Sequence, residues 1–150
     1  TEVKKGQSSV SVMSPSGKNY ASALTMSDIK NIGVQKSGSG YVITVNLKDE
    51  TNPTSNGQFS RCMDYMTVDD VEKVYAPKVG ATVARDDISV KLTNSYAKLT
   101  VDANGRVTAY ETLVNGVLVM KNASIKKGVT IKTDLDITLS STTKYSNFVF

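Results

Sequence analysis

From residue 129 to residue 139 the chain alternates in chemistry along its whole length. Val129, Ile131, Leu135, Ile137 and Leu139 fall on one side, with Thr133 among them, and Thr130, Lys132, Asp134, Asp136 and Thr138 fall on the other. A period of two in β-branched and aliphatic residues marks a strand with one face buried and one in water. The pattern recurs in residues 41–48, where Tyr41, Ile43, Val45 and Leu47 share a face, and in Ile88-Val90-Leu92 and Ala97-Leu99-Val101. So many half-buried strands must form a sheet whose apolar side is covered by something.

Turn residues place the ends of these strands. Ser37-Gly38-Ser39-Gly40 predicts a hairpin into residues 41–48, and Asp102-Ala103-Asn104-Gly105 predicts a type I turn with glycine at the positive-φ position. Asn115-Gly116 leaves two readings open. It is either a two-residue hairpin loop or a bulge within one long strand from residue 106 to residue 120. Residues 121–128 read as a polar connection, and residues 145–150 as a final aromatic strand. Near the start, residues 1–7 read as a polar arm and residues 8–13 as a short strand that ends at Pro15 and Gly17. In residues 59–66 strand and helix spacing compete, with flanking turns favouring strand.

Two segments carry a helix-start signature. Thr25-Met26-Ser27-Asp28 and Thr67-Val68-Asp69-Asp70 both place an acid three residues after a threonine, the spacing of a capping box. The first predicts a short helix with Ile29 and Ile32 on one face, ended by Gly33. The second predicts a helix with Val71, Val74 and Tyr75 on one face, stopped by Ala76 ahead of Pro77.

A chain of 150 residues makes one domain, residues 1–150, with core enough to fold without disulfides. Histidine is absent and Cys62 is the only cysteine. Catalytic triads built on histidine, cysteine clusters and the usual zinc sites are therefore excluded. The net charge is +4, but the lysines are scattered rather than interleaved with aromatics on one stripe, which argues against nucleic acid. No apolar run reaches the ~20 residues of a membrane helix. An export segment removed ahead of Thr1 would fit a chain this rich in Ser, Thr and Asn, so an extracytoplasmic location is expected, secreted or anchored at the cell surface.

Candidate sites are few. Asp134 and Asp136 lie on one strand face about 7 Å apart, a spacing at which carboxylate pairs can hydrolyse glycosides. Charges guarding a sheet edge account for them better. Asp102-x-Asn104-Gly105 has the start of a calcium loop without its later ligands. Asn122-Ala123-Ser124 is a glycosylation pattern, and Cys62 has no histidine to activate it. Neither catalysis nor a cofactor or metal is expected. Glu111 stands on a face with Val107, Ala109 and Leu113, an inward position for a carboxylate, where it is expected either to pair with an Arg or Lys or to mark the rim of a pocket. Two short helices cannot cover seven or eight strands, so part of the apolar face is expected to take a ligand or partner. Tyr41, Met63, Met66, Tyr110, Glu111 and Met120 are the candidate ligand-binding residues.

The order of elements carries a resemblance. A hairpin leads into residues 41–48 and Lys48-Asp49-Glu50-Thr51-Asn52-Pro53, then a capped helix from Thr67, then Ala97-Lys98-Leu99-Thr100-Val101-Asp102 and Asn104-Gly105-Arg106-Val107. Over residues 25–140 this resembles secreted or lipid-anchored proteins of Gram-positive gut bacteria whose architecture is similar to the LolA and LprG-like lipoprotein carriers. The resemblance implies an α+β fold: a strongly curved, mostly antiparallel open half-barrel with two short helices packed on it. It implies a concave face for a lipid or other apolar small molecule and names no catalytic residue. The alternative is a cell-surface interaction or structural domain with a cell-envelope protein as partner and no small-molecule site.

Overall fold

The alternating stretches become the strands of one antiparallel sheet. The structure, a computed structural model, describes residues 24–55, 57, 66–146 and 148. In chain order the elements are β1 (Ile29–Ser37), β2 (Gly40–Leu47), β3 (Glu50–Thr51), a helix α1 (68–78), β4 (Ala81–Thr82), β5 (Ile88–Val101), β6 (Val107–Lys127) and β7 (Val129–Ser146). The long strands lie in the order β1-β2-β5-β6-β7, with β3 pairing β5 and β4 pairing β6. Among the described residues β1 pairs only with β2 and β7 only with β6, so the sheet does not close.

Short loops connect the long strands. Gly38 takes φ +58 in the Gly38-Ser39 loop, and Gly40 must be glycine because a Cβ there would sit against the Val101 carbonyl. At the β5–β6 turn the Asp102 carboxylate accepts the amides of Asn104 and Arg106 at 2.8 and 2.9 Å, while Gly105 takes φ +78. The β6–β7 turn pivots on Gly128 at φ +76. The chain expected to be a polar connection, residues 121–128, is strand as far as Lys127, paired first to β7 and at Ser124 and Ile125 also to β4.

Asn115-Gly116 is no turn. Gly116 sits in the middle of β6, opposite Leu92, and the bulge belongs to β5, where Asn94 and Ser95 face the single residue Val114. Asn94 takes φ +49 there. The buried Ser95 hydroxyl donates to the Thr93 carbonyl at 3.2 Å and accepts the Asn115 amide at 3.2 Å. Glycine at 116 has a packing reason: a Cβ would stand 2.5 Å from the Lys91 carbonyl oxygen and 2.8 Å from Leu92 Cδ2.

Where two helices were expected, one forms. At Thr25 the box closes, with the Asp28 carboxylate accepting both the Thr25 amide and hydroxyl at 2.8 Å. It caps only a 3₁₀ turn, Met26–Asp28, and Ile29 already belongs to β1. Ile32 and Val34 also alternate, and their pairing with Val45 and Ile43 of β2 overrides the local helix signal. The second box is complete. The Asp70 amide donates to Thr67 Oγ1 at 3.2 Å, and Asp70 Oδ2 accepts the Thr67 amide at 2.7 Å. The helix runs past its expected stop at Ala76 to Lys78 because Val71–Tyr75 is a π turn, closed by the Ala76 amide on the Val71 carbonyl. The wider turn moves backbone away from the Pro77 ring, which in a regular helix would meet the carbonyl four residues back. Gly80, at φ +73, ends it.

α1 lies on one face of the sheet and supplies Val68, Val71 and Ala76 to a core with Leu47, Ile88, Val90, Leu92, Val114, Leu118, Met120 and Ala123. Asp70→Ala is expected to cost about 0.5–2 kcal/mol, since it removes the carboxylate that accepts the Thr67 amide and hydroxyl, leaving only the Asp70 amide on Thr67 Oγ1. Asp69→Ala, which breaks exposed pairs to Arg85 and Lys73, should stay within about 0.5 kcal/mol. Equal costs in urea unfolding would contradict this reading. The expected arm (1–7), the strand at 8–13 and the ambiguous stretch at 59–65 lie outside the described residues. So does the expected closing strand beyond Ser146, apart from Phe148, which is not in a strand. No helix among the described residues is long and apolar enough to cross a membrane.

Candidate functional site

Cross-strand register divides the sheet into rows that run from β1 to β7. One row on the helix side is Ile32, Val45, Ala97, Thr112 and Thr143; the next is Val34, Ile43, Leu99, Tyr110 and Tyr145; beyond it come Lys36, Tyr41 and Val101. Leu47 and the β5 segment Ile88-Val90-Leu92 lie in the core that α1 caps. Toward the β1–β2 end of the same face the apolar side chains come into water. Ile32 is 49% exposed, Val34 63% and Tyr41 48%. Ile43 and Leu99, beside them, are half-buried. Tyr110 and Tyr145 stack with ring centroids 6.3 Å apart. The site is thus an apolar shelf continuous with the core, with the cation Lys36 at its edge.

The six residues singled out from sequence do not converge. Tyr41 and Tyr110 share the shelf face. Met120 is in the core, 2% exposed, and Met66 packs against that core beside α1. Met63 lies outside the described residues. Glu111, expected inward, is on the opposite face, in a row with Thr44, Lys98 and Lys144. Ile32 and Val34 were missed as site residues, because the Thr25 box assigned Ile32 to a helix and Val34 was read only as the lead into the hairpin beyond Gly33. Their own alternation with Gly33 and Gln35 was the available signal.

Glu111 is held by three donors. Its Oε1 accepts the Tyr96 hydroxyl at 2.6 Å and faces Lys98 Nζ at 2.9 Å, and its Oε2 faces Lys144 Nζ at 3.0 Å. The Tyr96 hydrogen bond, then those from Lys98 and Lys144, lower its pKa from 4.5 to about 2, against a smaller opposing effect of burial. The same bond to Glu111 raises the Tyr96 pKa. A carboxylate so weakly basic neither takes up nor gives a proton usefully near neutrality. Its chemistry is to tie β5, β6 and β7 together. Because the folded pKa lies below the unfolded value, the stabilisation is complete above pH ~4.5 and is lost as pH falls through about 2. Glu111→Gln is expected to cost about 1–3 kcal/mol at neutral pH, with the gap to wild type narrowing between pH 4.5 and 2. A constant offset across that range in pH-dependent unfolding would refute the assignment.

The two aspartates of β7 are not brought together as a reacting pair. Asp134 Oδ1 accepts the Asn122 amide at 2.9 Å, where Asn122 takes φ +52 in the β6 bulge opposite it. Asp136 is exposed opposite Val119. The Asn122 side chain donates to Asp87 at 3.3 Å. Among the described residues no three His, Cys, Asp or Glu side chains are grouped to hold a metal ion. Another concavity, open and about 540 Å³, lies at the end of α1 between Pro77, Ala81, Ser124, Lys126 and Thr130. Among the described residues it presents no aromatic ring.

No protein-family model, curated protein or solved structure matches this chain.

Proposed function

We propose that this chain is a non-catalytic extracytoplasmic binding module that holds a lipid or another apolar ligand on the helix-side face of its sheet. The observation that carries the reading is the exposure of Ile32, Val34 and Tyr41 on the face that elsewhere forms the core. A guest covering about 200 Å² of that apolar surface gains about 5 kcal/mol, from which the cost of immobilising it is subtracted. The resemblance of the element order to LolA and LprG-like carriers points the same way, and on this reading the unclosed sheet is strongly curved, an open half-barrel with the shelf on its concave side. Lys36, beside Tyr41 in the register, suits a ligand with an anionic head at the shelf's edge.

Native mass spectrometry of the protein before and after organic extraction tests the reading. A bound lipid or fatty acid is expected, and a variant carrying Val34→Asp with Tyr41→Asp should lose most of it while retaining its fold by circular dichroism. Failure to recover any lipid, together with no binding of a hydrophobic dye, would sink the proposal. A second reading, a cell-surface protein-interaction domain, is favoured by a different observation: Val129, Ile131 and Ile137 are exposed along β7.

A further inference from the structure

β7 is the longest strand at a margin of the sheet, 18 residues, and among the described residues it hydrogen-bonds only to β6. Strand edges of this length are templates for another strand unless something blunts them. Its exposed aliphatics are not scattered. Val129 is 67% exposed, Ile131 53% and Ile137 38%, all on the helix side of the sheet and all in the first half of the strand. Between them, on the opposite face, stand the exposed Lys132, Asp134 and Asp136.

From this pattern we infer that β7 pairs antiparallel with β7 of a second copy of the chain, about a two-fold axis through Thr133. In that register Ile131 lies opposite the partner's Leu135, and Val129 opposite the partner's Ile137. Lys132 lies opposite the partner's Asp134, and by symmetry Asp134 opposite the partner's Lys132. The apolar residues that β7 exposes are thereby covered by one another, and two opposite-charge pairs form on the other face. Asp134 can serve both contacts, since Oδ1 already accepts the Asn122 amide and Oδ2 remains for the lysine.

Neighbouring registers are disfavoured by charge. An axis through Lys132 sets two lysines face to face, one through Asp134 sets two aspartates face to face, and one through Leu135 opposes Asp134 to Asp136 twice over. Like charges directly opposite are destabilising. An axis between residues is excluded by the pleat, because it would set odd positions opposite even ones, whereas directly opposite residues of an antiparallel pair lie on the same face. Farther along, an axis through Leu139 matches Asp134 with Lys144 but opposes Ile137 to Ser141, leaving the exposed aliphatics without apolar partners. The register about Thr133 alone matches charge and apolar surface together. The two sheets then run on as one, and their helix-side faces join across the axis. This inference rests on β7 alone and stands or falls separately from the proposed ligand.

Light scattering on the intact chain, over a concentration series, reads the assembly directly. The expected mass is twice 16.1 kDa, falling to one chain in Lys132→Asp and in Asp134→Lys. Because each variant opposes like charges to itself but opposite charges to the other, mixing the two should restore the dimer. As an independent check on register, Thr133→Cys in a Cys62→Ser background should cross-link on mild oxidation, whereas Thr138→Cys should not. A chain that stays monomeric at every concentration overturns the inference. So does a dimer that survives Lys132→Asp and fails to cross-link at Thr133.

Discussion

Leu92→Ala is expected to lower the unfolding free energy by about 2–5 kcal/mol, the largest effect of any single substitution considered for this chain. Leu92 is fully buried, on β5 between the β3 residue Glu50 and the β6 residue Gly116, and it belongs to the core that α1 closes. The loss would combine the transfer free energy of the removed carbons with a cavity. Collapse is resisted on several sides, since Val90, Leu118 and Val71 are themselves buried in the same cluster. Urea unfolding with an unchanged slope and a lower midpoint is the expected result. A shift below about 1 kcal/mol would mean that Leu92 does not occupy the centre of the core.

Gly116→Ala follows, at about 1–3 kcal/mol. The added methyl meets a backbone oxygen, that of Lys91, and the end of Leu92. The side chain can move aside, but the carbonyl is fixed by its strand. Combining the substitution with Leu92→Ala should therefore recover only part of the loss, a non-additivity expected of residues in contact. Gly33→Ala is the control: nothing stands within 4 Å of its added Cβ, and its backbone is extended. It should be neutral or slightly stabilising through the unfolded chain. Were Gly116→Ala as harmless as Gly33→Ala, the register of β5 on β6 would be wrong.

These two positions show what a single sequence can and cannot reveal about this sheet. Alternation located the strands at 41–48, 88–101 and 129–139, because a period of two is imposed by the pleat itself and survives any arrangement of neighbours. The hairpin glycine Gly38 and the Asp102 turn were legible for the same reason: their geometry is local. Gly116 was not, since Asn-Gly is a hairpin signal and only the neighbouring β5 decides that the residue is a seat for Leu92 instead. Ile32 failed similarly. The Thr25–Asp28 box is real, but a box can close one 3₁₀ turn as well as a helix, and β2 determines which follows. The place of Tyr41 on the helix-side face was readable from alternation. Glu111 was read as an inward carboxylate paired with a Lys or Arg or set at a pocket rim; Lys98 and Lys144 do pair with it, together with Tyr96, on the face away from α1. Met120 had the right chemistry for a ligand and went under α1, an outcome that depends on where the helix lands.

The most direct test of the binding reading is a residue-resolved titration of the protein with a fatty acid such as oleate, followed by amide chemical shifts. The expected result is saturable shifts concentrated on Ile32, Val34, Tyr41 and Ile43, with Lys36 responding to the carboxylate, and little change at Glu111 on the opposite face. Shifts confined to the concavity around Ala81 and Thr130, or no saturable shift anywhere, would contradict it.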